Sequence, residues 1–290
     1  MKSAQVWKDQ VFNTVVILIL LGLALVVVVP FLFTIFSSFA TSKELLLKGV
    51  VLWPEVWTLE AYRFLLDNDQ FTGAFKNAVT LTVFGTIINM TLSILMAYGL
   101  SQPGVRGRTA INFMVLFTML FHGGMIPTYL VVNKLGLINS YWSIWLVNAI
   151  APFNMIVMRS FFQTLPSEIK ESARIDGCGE FKILWRVILP ISLPVIVTFT
   201  LFYTVANWNT YFQAVLYLND IKAYPLQVFL RQVLIVNAAE LGLVVTESGY
   251  EYSPAVRHAA ILLTATPLLL VYPFMQKYFS KGMMMGSVKG

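Results

Sequence analysis

Long apolar runs alternate with short charged ones along the whole chain, and this pattern predicts six membrane-spanning helices. The runs cover about residues 12–36, 74–100, 109–132, 141–162, 194–216 and 258–279. At ~1.5 Å per residue the first exceeds a hydrocarbon core of ~30 Å. It is too long for a signal-peptide core and lacks a clean small-residue cleavage site, so it reads as a retained span. Thr82, Thr86, Asn89 and Ser93 form one polar stripe on the second span, and Thr200, Tyr203, Asn207 and Thr210 another on the fifth. In lipid such stripes turn toward other helices or a cavity, so both helix–helix bonding and the lining of a polar path fit them. His122-Gly123-Gly124 and Pro127 predict a break or kink in the third span, where protein or water must satisfy the freed backbone groups. Asn148, Pro152 and Asn154 lie inside the fourth span, and Pro267 and Pro273 are expected to kink the sixth.

One run breaks the rhythm. Between Pro166 and Pro194 stand Glu168, Lys170, Glu171, Arg174, Asp176, Glu180, Lys182 and Arg186. Each costs about 2.5–3.5 kcal/mol at the centre of a spanning helix, so the segment lies outside the bilayer. Ile169 and Ala173 share one helical face; Phe181, Leu184, Trp185 and Ile188 share another, which predicts two short amphipathic helices. Gly177 sits at the break between them, where positive φ is cheap, and Asp176 is placed to cap the helix that follows. Pro190 and Pro194 mark the start of the fifth span.

Composition agrees with an all-α integral membrane protein: 58% of residues are hydrophobic, 12% charged, and the mean hydropathy is +0.74. The formal net charge of +6 reads as membrane topology rather than nucleic-acid binding. Six spans put both ends on one side, and 12 of the 20 Lys and Arg fall on that side. The two short loops are clearest, with Arg106 and Arg108 on the side of the termini and Lys134 alone on the other. Both termini and the 166–194 segment are therefore expected in the cytoplasm. A single cysteine, Cys178, excludes an internal disulfide and a thiolate metal cluster.

Glu171-Ser172-Ala173, Asp176-Gly177 and Ile188-Leu189-Pro190 resemble the EAA loop of binding-protein-dependent ABC importers. That family's pattern is E-A-A, three residues, G, nine residues, I-x-L-P. Here ten residues separate Gly177 from Ile188, and Ser172 stands for the middle alanine. Asn139-Ser140-Tyr141, Trp208-Asn209 and the ending Gln276 to Gly282 with Gly286 to Gly290 are similar to the second permease subunit of maltose-type carbohydrate importers. Phe121 to Pro127 narrows the resemblance to permeases for oligosaccharide or polysaccharide-derived substrates. The resemblance covers roughly residues 10–290, and it implies that residues 1–290 form one ABC-importer transmembrane domain in a bacterial inner membrane.

The resemblance implies a division of labour. A sister permease pairs with this chain, and two ATPase subunits carry ATP and Mg, so this chain binds no cofactor. An extracytoplasmic solute-binding protein delivers the carbohydrate. The coupling loop, 166–190, docks into the ATPase, with Glu171, Ser172, Ala173, Asp176, Gly177, Leu189 and Pro190 as coupling residues. The two polar stripes become candidates for path lining, and residues 217–257 match by position the outer loop that reaches the binding protein. No Gly-x-x-x-x-Gly-Lys-Ser/Thr occurs, so ATP binding by the chain itself is not expected. A membrane-embedded enzyme is a rival class, but the predicted spans hold no Asp or Glu and no His-Glu-x-x-His or Gly-x-Ser-x-Gly motif. An importer of the same superfamily for a non-sugar solute is a second alternative.

Overall fold

A computed structural model describes the backbone of residues 2–235 and 253–287, and the side chains of 10–234 and 253–273. All regular elements among the described residues are helical. Among the described residues, three helices are long and apolar enough to cross a membrane: α1 (Lys2–Phe39) through its Gln10–Phe39 part, α4 (Asp69–Ser101), and α15 (Pro254–Ser287) through Pro254–Pro273. Two bent pairs pass the same test together. One is α7 (Tyr141–Val147) with α8 (Pro152–Thr164), bent by 50°. The other joins Glu180–Ile191 to α12 (Leu193–Trp208), bent by 87°.

Several expected boundaries change. The third run is divided into α5 (Arg108–Leu120) and α6 (Met125–Lys134), separated at 121–124 as the glycines suggest. Gly124 has φ +89, which a residue with a Cβ rarely adopts. The fifth run was expected to be continuous over 194–216, but α12 ends at Trp208 and α13 (Phe212–Tyr217) follows after a break. Asn209 closes α12 twice: its backbone N–H and its side-chain amide both donate to the Val205 carbonyl, at 3.1 and 2.8 Å. A side chain that competes for the helix carbonyl in this way favours termination. The sixth helix runs uninterrupted past Pro267 and Pro273.

The chain divides into two compact units. The first comprises Met1–Asp69 and Leu230–Thr266. After α1 it carries α2 (Ser42–Lys48) and α3 (Glu60–Asp67). Rings of Phe36, Phe39, Trp53, Trp57 and Tyr62 pack in succession, with neighbouring centroids 5.2 to 6.1 Å apart. Glu44, almost fully buried, accepts from the Glu55 backbone N–H and pairs with Lys48 at 3.0 Å. Those contacts hold its carboxyl below the ordinary range, the Lys48 bond most strongly.

The second unit, Gln70–Phe229 with Pro267–Gly290, holds two apolar clusters. One gathers Leu81, Val132, Ile144, Ala214 and Tyr217. Beside it Asn139, at φ 61, accepts on its side-chain oxygen from the N–H groups of Asn219 and Asp220, both at 3.0 Å. The other cluster gathers Ala97, Met155, Met158, Phe162, Ile183 and Ile188 around the C-terminal part of α4, α8 and the polar interruption.

Candidate coupling segment and polar core

The charged interruption does form short helices. α9 (Ser167–Ile175) is followed by α10 (Glu180–Ile183), a π turn at Leu184–Ile188, and α11 (Leu189–Ile191). Gly177 lies between α9 and α10 at φ +76. Two details depart from expectation. Asp176 ends α9, its N–H reaching the Ser172 carbonyl at 3.0 Å, and it does not cap α10. Gly179 occupies that N-cap position with no side-chain bond. The buried stripe is Ile183, Leu184 and Ile188, while Phe181 and Trp185 are exposed at 72% and 64%. Leu184 and Ile188 keep the i,i+4 face that the sequence marks, and Ile183 joins them in place of Phe181 and Trp185.

Ala173 is buried in the cluster shared with α8 and α4, whereas Glu171, Ser172, Asp176, Gly177 and Pro190 are exposed and Leu189 is half-buried. The exposed side also carries Ile175, at 86%. Lys170 is buried, donating to the Phe162 carbonyl at 3.3 Å, and burial followed by the nearby Arg174 charge pushes its pKa down.

Glu180 ties these pieces together. Its carboxylate accepts from the Tyr98 hydroxyl at 2.6 Å and pairs with Arg174 at 2.8 Å. The end of α4, the last turn of α9 and the first turn of α10 therefore meet on one carboxyl group. Tyr98 first, and Arg174 after it, hold that carboxyl below the usual carboxylate range. Neither Tyr98 nor Glu180 stood out in the sequence, since a Tyr near a helix end and a Glu in a charged loop are both ordinary.

The two polar stripes largely meet each other. Asn89 donates to the carbonyls of Asn148 and Ala149 at 2.7 and 3.0 Å, the groups freed where α7 gives way to α8. Asn207 donates to the Asn89 side-chain oxygen at 2.8 Å and to Thr86 at 3.3 Å. The Tyr203 hydroxyl accepts from the Ala151 N–H at 3.0 Å and bonds Ser93 at 2.7 Å. Thr82 and Thr200 bond back to the carbonyls of Ala78 and Ile196 in their own helices. Thr210 is buried. Asn89, Ser93, Tyr203 and Asn207 thus fasten the second and fifth runs to the bend in the fourth. A cavity of about 370 Å³ opens beside them, lined by Asn148, Asn154, Thr210 and Gln213 among others.

A family profile described as binding-protein-dependent transport system inner membrane component matches residues 89–285. The polygalacturonan/rhamnogalacturonan transport system permease protein YtcP of Bacillus subtilis is 46% identical, over 98% of this chain and 100% of its own. The arabinooligosaccharides transport system permease protein AraQ of the same organism is 27% identical, over 97% of each. Among solved structures, a chain of a bacterial ABC transporter involved in import of the acidic polysaccharide alginate superposes with a TM-score of 0.86. It is 32% identical, covering 94% of this chain and 98% of that one.

Proposed function

Because the chain belongs to the binding-protein-dependent transport system inner membrane component family, we propose that it is one of two membrane subunits of a carbohydrate ABC importer. It is a transport component rather than an enzyme. In this reading it crosses the bacterial inner membrane six times with both termini in the cytoplasm, in accord with its basic-residue distribution. A sister permease completes the path, a solute-binding protein delivers the sugar, and two separate subunits hydrolyse ATP. The permeases it resembles are those of polygalacturonan/rhamnogalacturonan and arabinooligosaccharide transport systems, and the alginate importer takes an acidic polysaccharide. A uronate-containing oligosaccharide is therefore the favoured substrate class.

The observation that carries this reading is the coupling segment. One side, Ala173, Ile183, Leu184 and Ile188, is built into the core, while Ile175, Phe181 and Trp185 stand exposed on the charged segment. Large apolar side chains among charges at such a position suit a protein partner. In this reading the partner is the ATPase; Glu171, Ser172, Asp176 and Gly177 are exposed as well, and Leu189 and Pro190 lead into the fifth span. ATP binding must favour one arrangement of the helices over another, or no solute moves. Reconstitution with the sister permease, ATPase and binding protein tests the reading. Trigalacturonate added with the binding protein should stimulate ATP hydrolysis, and replacing Phe181 and Trp185 by Ser should abolish that stimulation. Full stimulation in the double variant excludes this docking surface.

A further inference from the structure

The cavity beside the polar core holds carboxamides that the fold leaves unused. Asn89 and Asn207 are spent on each other and on the α7–α8 bend. Asn209 is spent on Val205 and Gln227. By contrast, the side chains of Asn148, Asn154 and Gln213 line the cavity without a hydrogen-bond partner among the described residues. Asn154 is the telling case, because it is only 9% exposed. Its amide is not sealed in the core but lines the cavity, so its hydrogen-bond partner there is water or a ligand.

We propose that this cavity is a sugar subsite that holds one pyranose residue through its ring hydroxyls. The inference rests on the carbohydrate reading above and assigns this chain a direct contact with the substrate. A carboxamide both donates and accepts, as a hydroxyl does, so Asn148, Asn154 and Gln213 match neighbouring hydroxyls in either sense. Phe202, 41% exposed at the rim, offers an apolar face for the ring's C–H groups. The volume of about 370 Å³ is at the small end of ligand pockets, suited to a single ring rather than a chain. No Lys or Arg lines the cavity, so a uronate carboxylate finds no cation there and is left toward the opening. The subsite reads hydroxyls and is indifferent to acidity. Lipid tails are excluded as occupants, because they leave the same amides unsatisfied.

The test uses the complete importer in proteoliposomes, with trigalacturonate and its neutral counterpart galactotriose as probes. Each variant is scored by sugar imported per ATP hydrolysed. Asn154→Leu and Gln213→Leu should each lower that ratio about tenfold, the size expected for one hydrogen bond to a bound polar group. The loss should be equal for every probe the wild type imports, and Asn154→Gln should recover part of it. An unchanged ratio in both Leu variants overturns the subsite, as does a fall in import and ATP hydrolysis together, which points to helix packing or to the sister permease filling the cavity. Import of neither probe by the wild type overturns the carbohydrate reading, and the subsite with it.

Discussion

Asn207 donates a hydrogen bond to Asn89 across 2.8 Å, and Asn89 in turn donates to both carbonyls at the bend of the fourth run. A bent helix in lipid has no water to satisfy its freed carbonyls, so Asn89 is the group that makes the bend tolerable. Asn89→Leu strands two carbonyls and leaves the Asn207 amide only its longer bond to Thr86. A loss of about 2–4 kcal/mol follows, read as a lower thermal midpoint of the protein purified in detergent. An unchanged midpoint removes Asn89 from this role.

Gly85 lets the two helices come close enough for that bond. A Cβ at this position stands 3.0 Å from the Asn207 side-chain Cγ and Nδ2. Gly85→Ala should push Asn207 aside, breaking its bond to Asn89 and lowering the thermal midpoint. Adding Asn207→Ala should relieve the clash, so the double variant is less unstable than additivity predicts. Strict additivity is the contrary result.

Gly177 combines φ +76 with an N–H that donates to the Arg174 carbonyl at 3.0 Å. Proline can supply neither, and alanine only at a cost of about 1 kcal/mol. Gly177→Pro should insert into the membrane normally and yet uncouple or lose the ATPase. Normal substrate-stimulated ATP hydrolysis by this variant refutes the coupling role.

Tyr98 and Arg174 share the Glu180 carboxylate, so the clamp depends on its charge. The folded-state pKa of Glu180 is lowered. Its stabilisation is therefore complete above the free Glu value of about 4.3 and is lost as pH falls through the lower folded value. Tyr98→Phe should remove part of this acid dependence and reduce the sugar moved per ATP, with expression maintained. Equal acid sensitivity in wild type and variant counts against the clamp.

Much of this architecture was legible in the sequence. The charged interruption, the break at Gly123-Gly124 and the turn at Gly177 all follow from local rules about charge and backbone freedom. The partners of the polar stripes do not, because a stripe shows which face is polar and not which helix meets it. The π turn at Leu184–Ile188 carries no residue type that announces it, and of the four residues that share a helical face there only Leu184 and Ile188 are buried. The end of α12 at Trp208 depends on Asn209 folding back on Val205, a choice that a polar residue in an apolar run leaves open. The 217–257 segment, matched by position to an outer loop, lies partly outside the described residues, and its tip falls wholly there.

Cys178 follows Gly177 directly and is half-buried, so it reports the side on which the coupling segment lies. A membrane-impermeant maleimide should label it in inside-out vesicles and not in intact cells. Labelling only from outside inverts the topology and removes the ATPase from its proposed docking face.

If an ATPase docks on this segment as proposed, the 87° corner between Glu180–Ile191 and α12 sets the kind of motion it can impose. A rod bent nearly square does not transmit thrust along its own length; it works as a crank. Sideways travel of the short arm would become swing or rotation of α12, so an opening path would be a matter of tilt rather than of a piston stroke.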